Sequence, residues 1–346
     1  LKLFKKKALD KDKPTSLIFI QNIILSIIIA CLIWIFIEIP LLESFPKLAE
    51  NFIQKTGYAV EKQDSLGIPV VFYPQSGIQY NPLFVANKAL ADSKKLDNQA
   101  AQNSFIICTD WLMHNHIIDN NKAYFPYKFP NSTYELPNPW YSALAQATIL
   151  NAVYARYKQS QDPQWKLLSQ QTLASLLPED KYKLAFETEQ GGLWFAEYPK
   201  EPRPYVLNGM LAVLIELNRY NESTGDSLAQ ALFAKGYQTI INKLPEFDRY
   251  MGSRYDLTGK IASMAYHQMH IDQLTQIDAI QPNPILKKHI SRWTLYRYIP
   301  TPIQLIFNFK ARRCIAFTVF WLGILLFIII FRHLWHRIIT KTKTNT

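Results

Sequence analysis

The hydrophobic pattern in the middle of the chain alternates between two kinds of helix. Residues 140–157 (WYSALAQATILNAVYARY) carry Tyr141, Leu144, Ala145 and Thr148 on one helical face and Ala143, Ala147, Leu150 and Tyr154 on another. A helix that is apolar nearly all round is buried on most of its sides. Residues 206–217 read the same way. Residues 165–177 instead confine Trp165, Leu168, Thr172 and Leu176 to one stripe, with Lys166, Ser169 and Gln170 opposite. Residues 228–244 repeat this amphipathic pattern with Leu232, Phe233, Tyr237 and Ile240. Buried or mixed helices are predicted to begin near 81, 141, 205 and 262, and amphipathic partners near 98, 164, 227 and 284. The period is about 60 residues, the mark of a repeated supersecondary unit. Inner helices backed by amphipathic outer ones describe a mainly α fold, an α/α barrel (toroid) of about four helical hairpins. Strand-like, aromatic segments separate the pairs at 67–74, 124–129, 191–198 and 249–255. In such a barrel they become short β-hairpin loops at one rim, where a cleft forms.

Two apolar runs flank this domain. Residues 17–37 are apolar except for Gln21, Asn22 and Ser26, and residues 315–331 contain no charge. A bilayer span needs roughly 17–25 such residues, so each run is expected to be a transmembrane helix. The first exceeds the roughly 7–15 apolar residues of a signal peptide, and no A-x-A-like site follows it. Charge location agrees. Residues 1–16 hold six Lys and two Asp, and residues 332–346 hold four Lys or Arg and no acid. Each tail is thus +4, which leaves +3 of the total +11 for everything between. The basicity belongs to the tails and reads as a positive-inside signal, not as a nucleic-acid footprint. The expected order is a cytoplasmic tail (1–16), a span (17–37), an extracytoplasmic domain (45–310), a second span (315–331) and a second cytoplasmic tail (332–346). Two spans with basic tails suit a bacterial inner membrane, with the lipid bilayer as one partner.

Cysteine adds little chemistry. Cys31 and Cys314 lie in or beside the apolar runs, and Cys108 stands alone in the middle as a buried small hydrophobe. His267 and His270 are spaced to share a helical face, but no motif places a third metal ligand, so no metal is expected. His114 and His116 read as surface residues.

The distinctive strings lie later in the chain: Glu197-Tyr198-Pro199, Val206-Leu207-Asn208-Gly209, Tyr255-Asp256-Leu257 and Tyr266-His267-Gln268-Met269-His270. Together with Gln79-Tyr80-Asn81-Pro82, Asp110-Trp111-Leu112, the segment from Pro139 to Gln146, Gly191-Gly192, the segment from Pro204 to Gly209 and His270-Ile271-Asp272-Gln273-Leu274, they resemble the C-terminal catalytic domain of the D-glucuronyl C5-epimerases. Their order and spacing agree with that family over about residues 67–298. The resemblance implies an α/α barrel and an isomerase of the heparan/heparosan type, acting on a uronate-containing acidic polysaccharide and converting D-glucuronate to L-iduronate. It implies catalytic roles for Tyr198, Tyr255 and Tyr266, with Glu197 beside the first. Tyr198 and Tyr266 would be the opposed acid and base, and Tyr255 an assisting donor.

Such chemistry removes a proton beside a carboxylate and returns one on the opposite face, so it requires one group per face and a neutraliser of the carboxylate. A phenol has an ordinary pKa of about 10 and needs a nearby cation or donors to act as a base. Arg203, Arg254, Lys260, His267 and His270 are the candidate cations, and Trp140, Tyr141, Gln146 and Asn208 complete the candidate substrate-binding set. For Asn208 a helix-start cap is the plain alternative. The family commonly has an arginine directly after Tyr-Asp-Leu; here the residue is Thr258. Proton exchange requires no cofactor, and none is expected. Rival readings are a polysaccharide lyase on the same barrel and a non-catalytic glycan-binding protein of capsule or exopolysaccharide assembly. A homodimer and partners in that assembly stay open.

Overall fold

A computed structural model describes residues 18–34, 61–73, 75–178, 181–189, 191–249, 252–297 and 311–344. The chain divides into two compact units, one of residues Leu1–Leu48 with Arg297–Thr346, the other Ala49–Tyr296.

The larger unit is mainly helical. Its helices are α2 (Pro82–Asp92), α3 (Gln99–His114), α4 (Ala143–Ser160), α5 (Pro163–Ala174), α6 (Leu207–Thr224), α7 (Ser227–Phe247), α8 (Met264–Ile280) and α9 (Pro284–Arg297). Helices α2, α4, α6 and α8 pack on one another in succession, and α3, α5 and α7 each back their preceding neighbour. The helix starts agree with those predicted from the hydrophobic pattern to within a few residues. Local chemistry sets these boundaries. Asn81, Asn98, Ser142, Asp162, Asp226 and Ser263 each cap the following helix by accepting from a first-turn backbone N–H. Gln161 (φ 57°) and Gly225 (φ 69°) end α4 and α6 in the left-handed region.

The strands are short and antiparallel: a three-stranded sheet β1 (Glu61–Gln63), β2 (Pro69–Tyr73), β3 (Gly77–Gln79), and hairpins β4 (Ile117–Asp119)–β5 (Lys122–Tyr124), β6 (Ala185–Glu187)–β7 (Leu193–Phe195) and β8 (Asp248–Arg249)–β9 (Gly252–Ser253). Each sheet or hairpin precedes one helix of the inner row, so the connections into those helices start from fixed strand ends. The stripe residues Trp165, Leu168, Thr172 and Leu176 are buried, as are Leu232, Phe233, Tyr237 and Ile240. One hydrophobic cluster surrounds α6, α7 and α8, and another joins α2, α3 and α4 to the aromatic segment 123–140.

The smaller unit pairs α1 (Ile18–Trp34) with α10 (Ala311–Thr344). Asn22, Ser26, Ala30 and Trp34 recur every fourth residue and form the buried stripe of α1. Trp321 Nε1 donates to Ser26 Oγ at 2.9 Å, Arg332 donates to Asn22, and Trp34 packs edge-on against Phe317. Two of the three polar residues that interrupt the first apolar run, Asn22 and Ser26, are therefore ones that meet the second helix. Among the described residues, one helical stretch, Phe317–Trp335, is long and apolar enough to cross a membrane; Ile18–Trp34 is a shorter apolar helix. The remainder of the 17–37 run lies outside the described residues.

Candidate active site

A cleft of about 540 Å³ opens where the strand-to-helix connections meet the inner row. Its lining includes Tyr73 and Asn81 before α2, Tyr127 and Trp140 before α4, Glu197, Tyr198 and Asn208 around the start of α6, and Tyr266 and Gln273 on α8. Two connections carry Glu197, Tyr198 and Tyr255. Residues 196–206 join β7 to α6, with the Ala196 backbone pinned by Ala143 N–H to Ala196 O (2.9 Å) and Ala196 N–H to Leu184 O (2.8 Å). Residues 254–263 join β9 to α8, and Leu207 N–H donates to Tyr255 O at 3.1 Å, tying this connection to the first turn of α6.

Three phenols and a carboxyl group cluster here. Glu197, Tyr198 and Tyr266 line the cleft, and Tyr255 adjoins Tyr266. The four groups lie close enough to shift one another's proton affinity. The rings of Tyr255 and Tyr266 meet edge-to-face at 4.7 Å. Tyr266 is 38% exposed, whereas Glu197 is buried. Burial pushes the Glu197 carboxyl from 4.5 up to about 7, against the opposing pull of hydrogen bonds from Tyr198 and Asn208. Burial, and then the nearby Glu197 charge, hold all three tyrosines above their ordinary value of 10. A free phenolate is thus disfavoured in this cluster, and Glu197 is the group tuned to exchange a proton near neutrality.

Gly209 explains part of the Val206–Gly209 string. A Cβ there would lie 2.7 Å from the Glu197 Cβ, so only glycine lets α6 approach the acid. Asn208 is not the cap of α6: Val206 occupies that position and makes no side-chain cap bond. Asn208 Nδ2 instead donates to Glu197 Oε2 at 3.3 Å, and Gln273 Nε2 donates to the Asn208 backbone oxygen at 3.1 Å. This leaves Asn208 Oδ1 and Gln273 Oε1 as buried acceptors without a protein donor.

Thr258 has a structural role at the position where the family commonly has arginine. Its N–H and hydroxyl donate to Asp256 Oδ1 at 3.0 and 2.7 Å, and Lys260 N–H adds a third bond at 3.2 Å. Tyr134 donates to Asp256 Oδ2 at 2.8 Å and stacks on Tyr198 at 4.2 Å. The Lys260 ammonium lies 3.6 Å from the Tyr134 ring centroid, with its side chain 42% exposed. Sequence reasoning missed Tyr134, because its contacts with Asp256 and Tyr198 span long stretches of chain. It also passed over Gln273, which sat inside a quoted string without a role.

The other candidates divide. Trp140 lines the cleft, stacks on Tyr127 at 3.9 Å and donates to Phe129 O. Gln146 is fully buried away from it, bonded to Phe125 N, Ala123 O and Ser175 Oγ. Tyr141 packs against Tyr124 and Tyr182 in the core. The Arg203 guanidinium lies over the Phe186 ring at 3.8 Å and pairs with Glu201 at 3.3 Å, outside the cleft lining. Arg254 is likewise absent from that lining, and its backbone pairs with Ile261. His267 and His270 are buried behind the tyrosines on Ser253. Tyr141, Gln146, His267 and His270 thus lie off the cleft wall, as do Arg203 and Arg254.

The chain belongs to the family described as D-glucuronyl C5-epimerase C-terminus, which matches residues 119–295. An uncharacterized protein of Methanocaldococcus jannaschii is 28% identical over 171 residues, covering 48% of this chain and 56% of that protein. The D-glucuronyl C5-epimerase of Caenorhabditis elegans is 27% identical over 235 residues, covering 60% of this chain and 38% of that protein. The match thus spans about half the length of one relative and less of the other. Among solved structures, a D-mannose isomerase is similar with a TM-score of 0.44 and 11% identity, covering 68% of this chain and 64% of that one.

Proposed function

We propose that the protein is a membrane-anchored uronyl C5-epimerase that inverts glucuronate to iduronate within an acidic polysaccharide, on a closed α/α toroid. The observation that carries this reading is the cluster of Tyr266, Tyr255 and Tyr198 beside the buried Glu197 carboxyl, whose pKa is raised to about 7. It supplies a proton route with two phenols available to a bound sugar. On one face, Tyr198 Oη takes the C5 proton as its own proton passes to ionised Glu197, so no free phenolate forms. On the other face, Tyr266 returns a proton to C5. Its oxygen is reprotonated along Tyr255 and Tyr198 from Glu197, or from water at its exposed edge. The proton count then balances over one turnover, without a cofactor as proton carrier.

Lys260, whose ammonium lies over Tyr134 and 4.0 Å from Asp256, is the cation this reading assigns to the substrate carboxylate. Lysine acts as a point charge, without the two-pronged grip of arginine. The unpaired oxygens of Asn208 and Gln273 accept sugar hydroxyls, and Trp140 offers an aromatic wall. The domain lies outside the cytoplasm with both basic tails inside.

A lyase would begin with the same proton removal and then expel the C4 substituent. Incubation of the full chain with a glucuronate polymer, followed by sugar analysis and ultraviolet absorbance, separates the two. Iduronate without absorbance supports epimerisation; an absorbing unsaturated uronate overturns it.

A further inference from the structure

Behind the tyrosines, Ser253 Oγ lies 2.8 Å from His267 Nδ1 and 2.8 Å from His270 Nδ1. Ser253 belongs to β9, two residues before Tyr255; His267 follows Tyr266 on α8. The serine is 1% exposed, and both histidines are buried. The hydrogens follow from the partners. His267 Nε2 lies 3.2 Å from the Trp293 carbonyl oxygen, which only accepts, so His267 carries its proton on Nε2. In the neutral ring Nδ1 is then bare and accepts from the Ser253 hydroxyl. A hydroxyl has one hydrogen, so the second contact needs His270 Nδ1–H to donate to Ser253 Oγ. His270 Nε2 is left a bare acceptor, and it has no protein partner. Burial favours the neutral ring and lowers the His270 pKa to about 3.

We propose that Ser253 is a positioning residue for the tyrosine cluster: by bridging His267 and His270 in opposite neutral tautomers, it fixes the connection bearing Tyr255 against the helix bearing Tyr266. The functional half of this inference rests on the epimerase reading; the tautomer half stands apart from it. The bridge joins the two elements at the base of the Tyr255–Tyr266 contact, where a displacement of an ångström is felt strongly in rate. Ser253→Ala removes the bridge without adding bulk.

The test has two readouts on the full chain. Long-range proton–nitrogen NMR of nitrogen-15-labelled protein at pH 7 reads the imidazoles directly. The expected result is Nε2–H for His267 and Nδ1–H for His270; the same tautomer on both, or a charged ring on either, overturns the proposal. C5 hydrogen exchange in a glucuronate polymer is then compared between the wild type and Ser253→Ala. The expected loss is about tenfold or more in kcat with KM little changed, and Ser253→Thr, which keeps the hydroxyl, recovers part of it. An unchanged kcat in folded Ser253→Ala overturns the positioning role. A wild type that catalyses no exchange overturns the epimerase reading and the positioning role with it, and the tautomer pattern still decides the bridge. If Ser253→Ala does not fold, the wild-type tautomers remain decisive.

Discussion

Glu197 carries the largest consequence of any single residue in the cleft. Its carboxyl is raised from 4.5 to about 7 because burial penalises the anion more than Tyr198 and Asn208 relieve it. The unfolded chain releases this proton near the ordinary value, so the folded state holds it over a wider range. The resulting stability is fully present below pH about 4.5 and is lost as pH rises toward and through 7. Glu197→Gln, which keeps the shape and removes the charge, should unfold with a flatter pH dependence. It should exceed the wild type at pH 8 by up to about 3 kcal/mol, read as denaturation midpoints across pH 5–8. Catalysis has the opposite sign, since only the ionised acid accepts the proton from Tyr198. The wild-type kcat/KM should rise with pH along a limb centred near 7 and level off about one unit above it, and Glu197→Gln should lose both the limb and most of the rate. Glu197 and the three tyrosines were legible in the sequence through their strings. The neighbours that set their behaviour were not: Tyr134 meets Asp256 across 122 positions, a contact that no local motif records.

At the scale of elements, the connection 254–263 holds its shape through one buried acid. Asp256 is fully buried and accepts from Tyr134, from Thr258 twice and from the Lys260 N–H. Asp256→Ala strands those donors and should cost about 2–4 kcal/mol in urea unfolding. It should also displace Tyr255, so that exchange activity falls further than stability alone explains. The helices themselves were legible because two periodic signals coincided. Residues such as Trp165, Leu168 and Thr172 marked outer helices by stripe, and the segment around Ala143–Leu150 marked an inner one by lacking a stripe. The ends were less visible, because caps such as Ser142 and Ser263 act through a single backbone bond. The misplaced site candidates have a common cause. Gln146, His267 and His270 are polar residues in distinctive strings, but their hydrogen bonds satisfy buried backbone or hydroxyl groups, and a string does not say which way a side chain points.

The whole molecule combines a helical domain with a paired-helix unit. The stretch Phe317–Trp335 has the length and apolarity of a membrane span, and Ile18–Trp34 presents a polar-edged stripe to α10. Hydropathy alone located both helices. It gave no sign that Asn22 and Ser26 serve the helix pair, since that depends on a partner almost 300 positions away. Reporter fusions after residue 60 should report the extracytoplasmic side, and fusions at the C-terminus the cytoplasmic side. Cytoplasmic signal at both points would overturn the proposed topology. The most direct test of the central claim is NMR of a glucuronate-containing polymer incubated with the full chain in D₂O. The account predicts deuterium at C5 of both glucuronate and iduronate residues, no unsaturated ends, and loss of this exchange in Tyr198→Phe. A polymer whose C5 positions stay unlabelled, or exchange that persists at the wild-type rate in Tyr198→Phe, would contradict it.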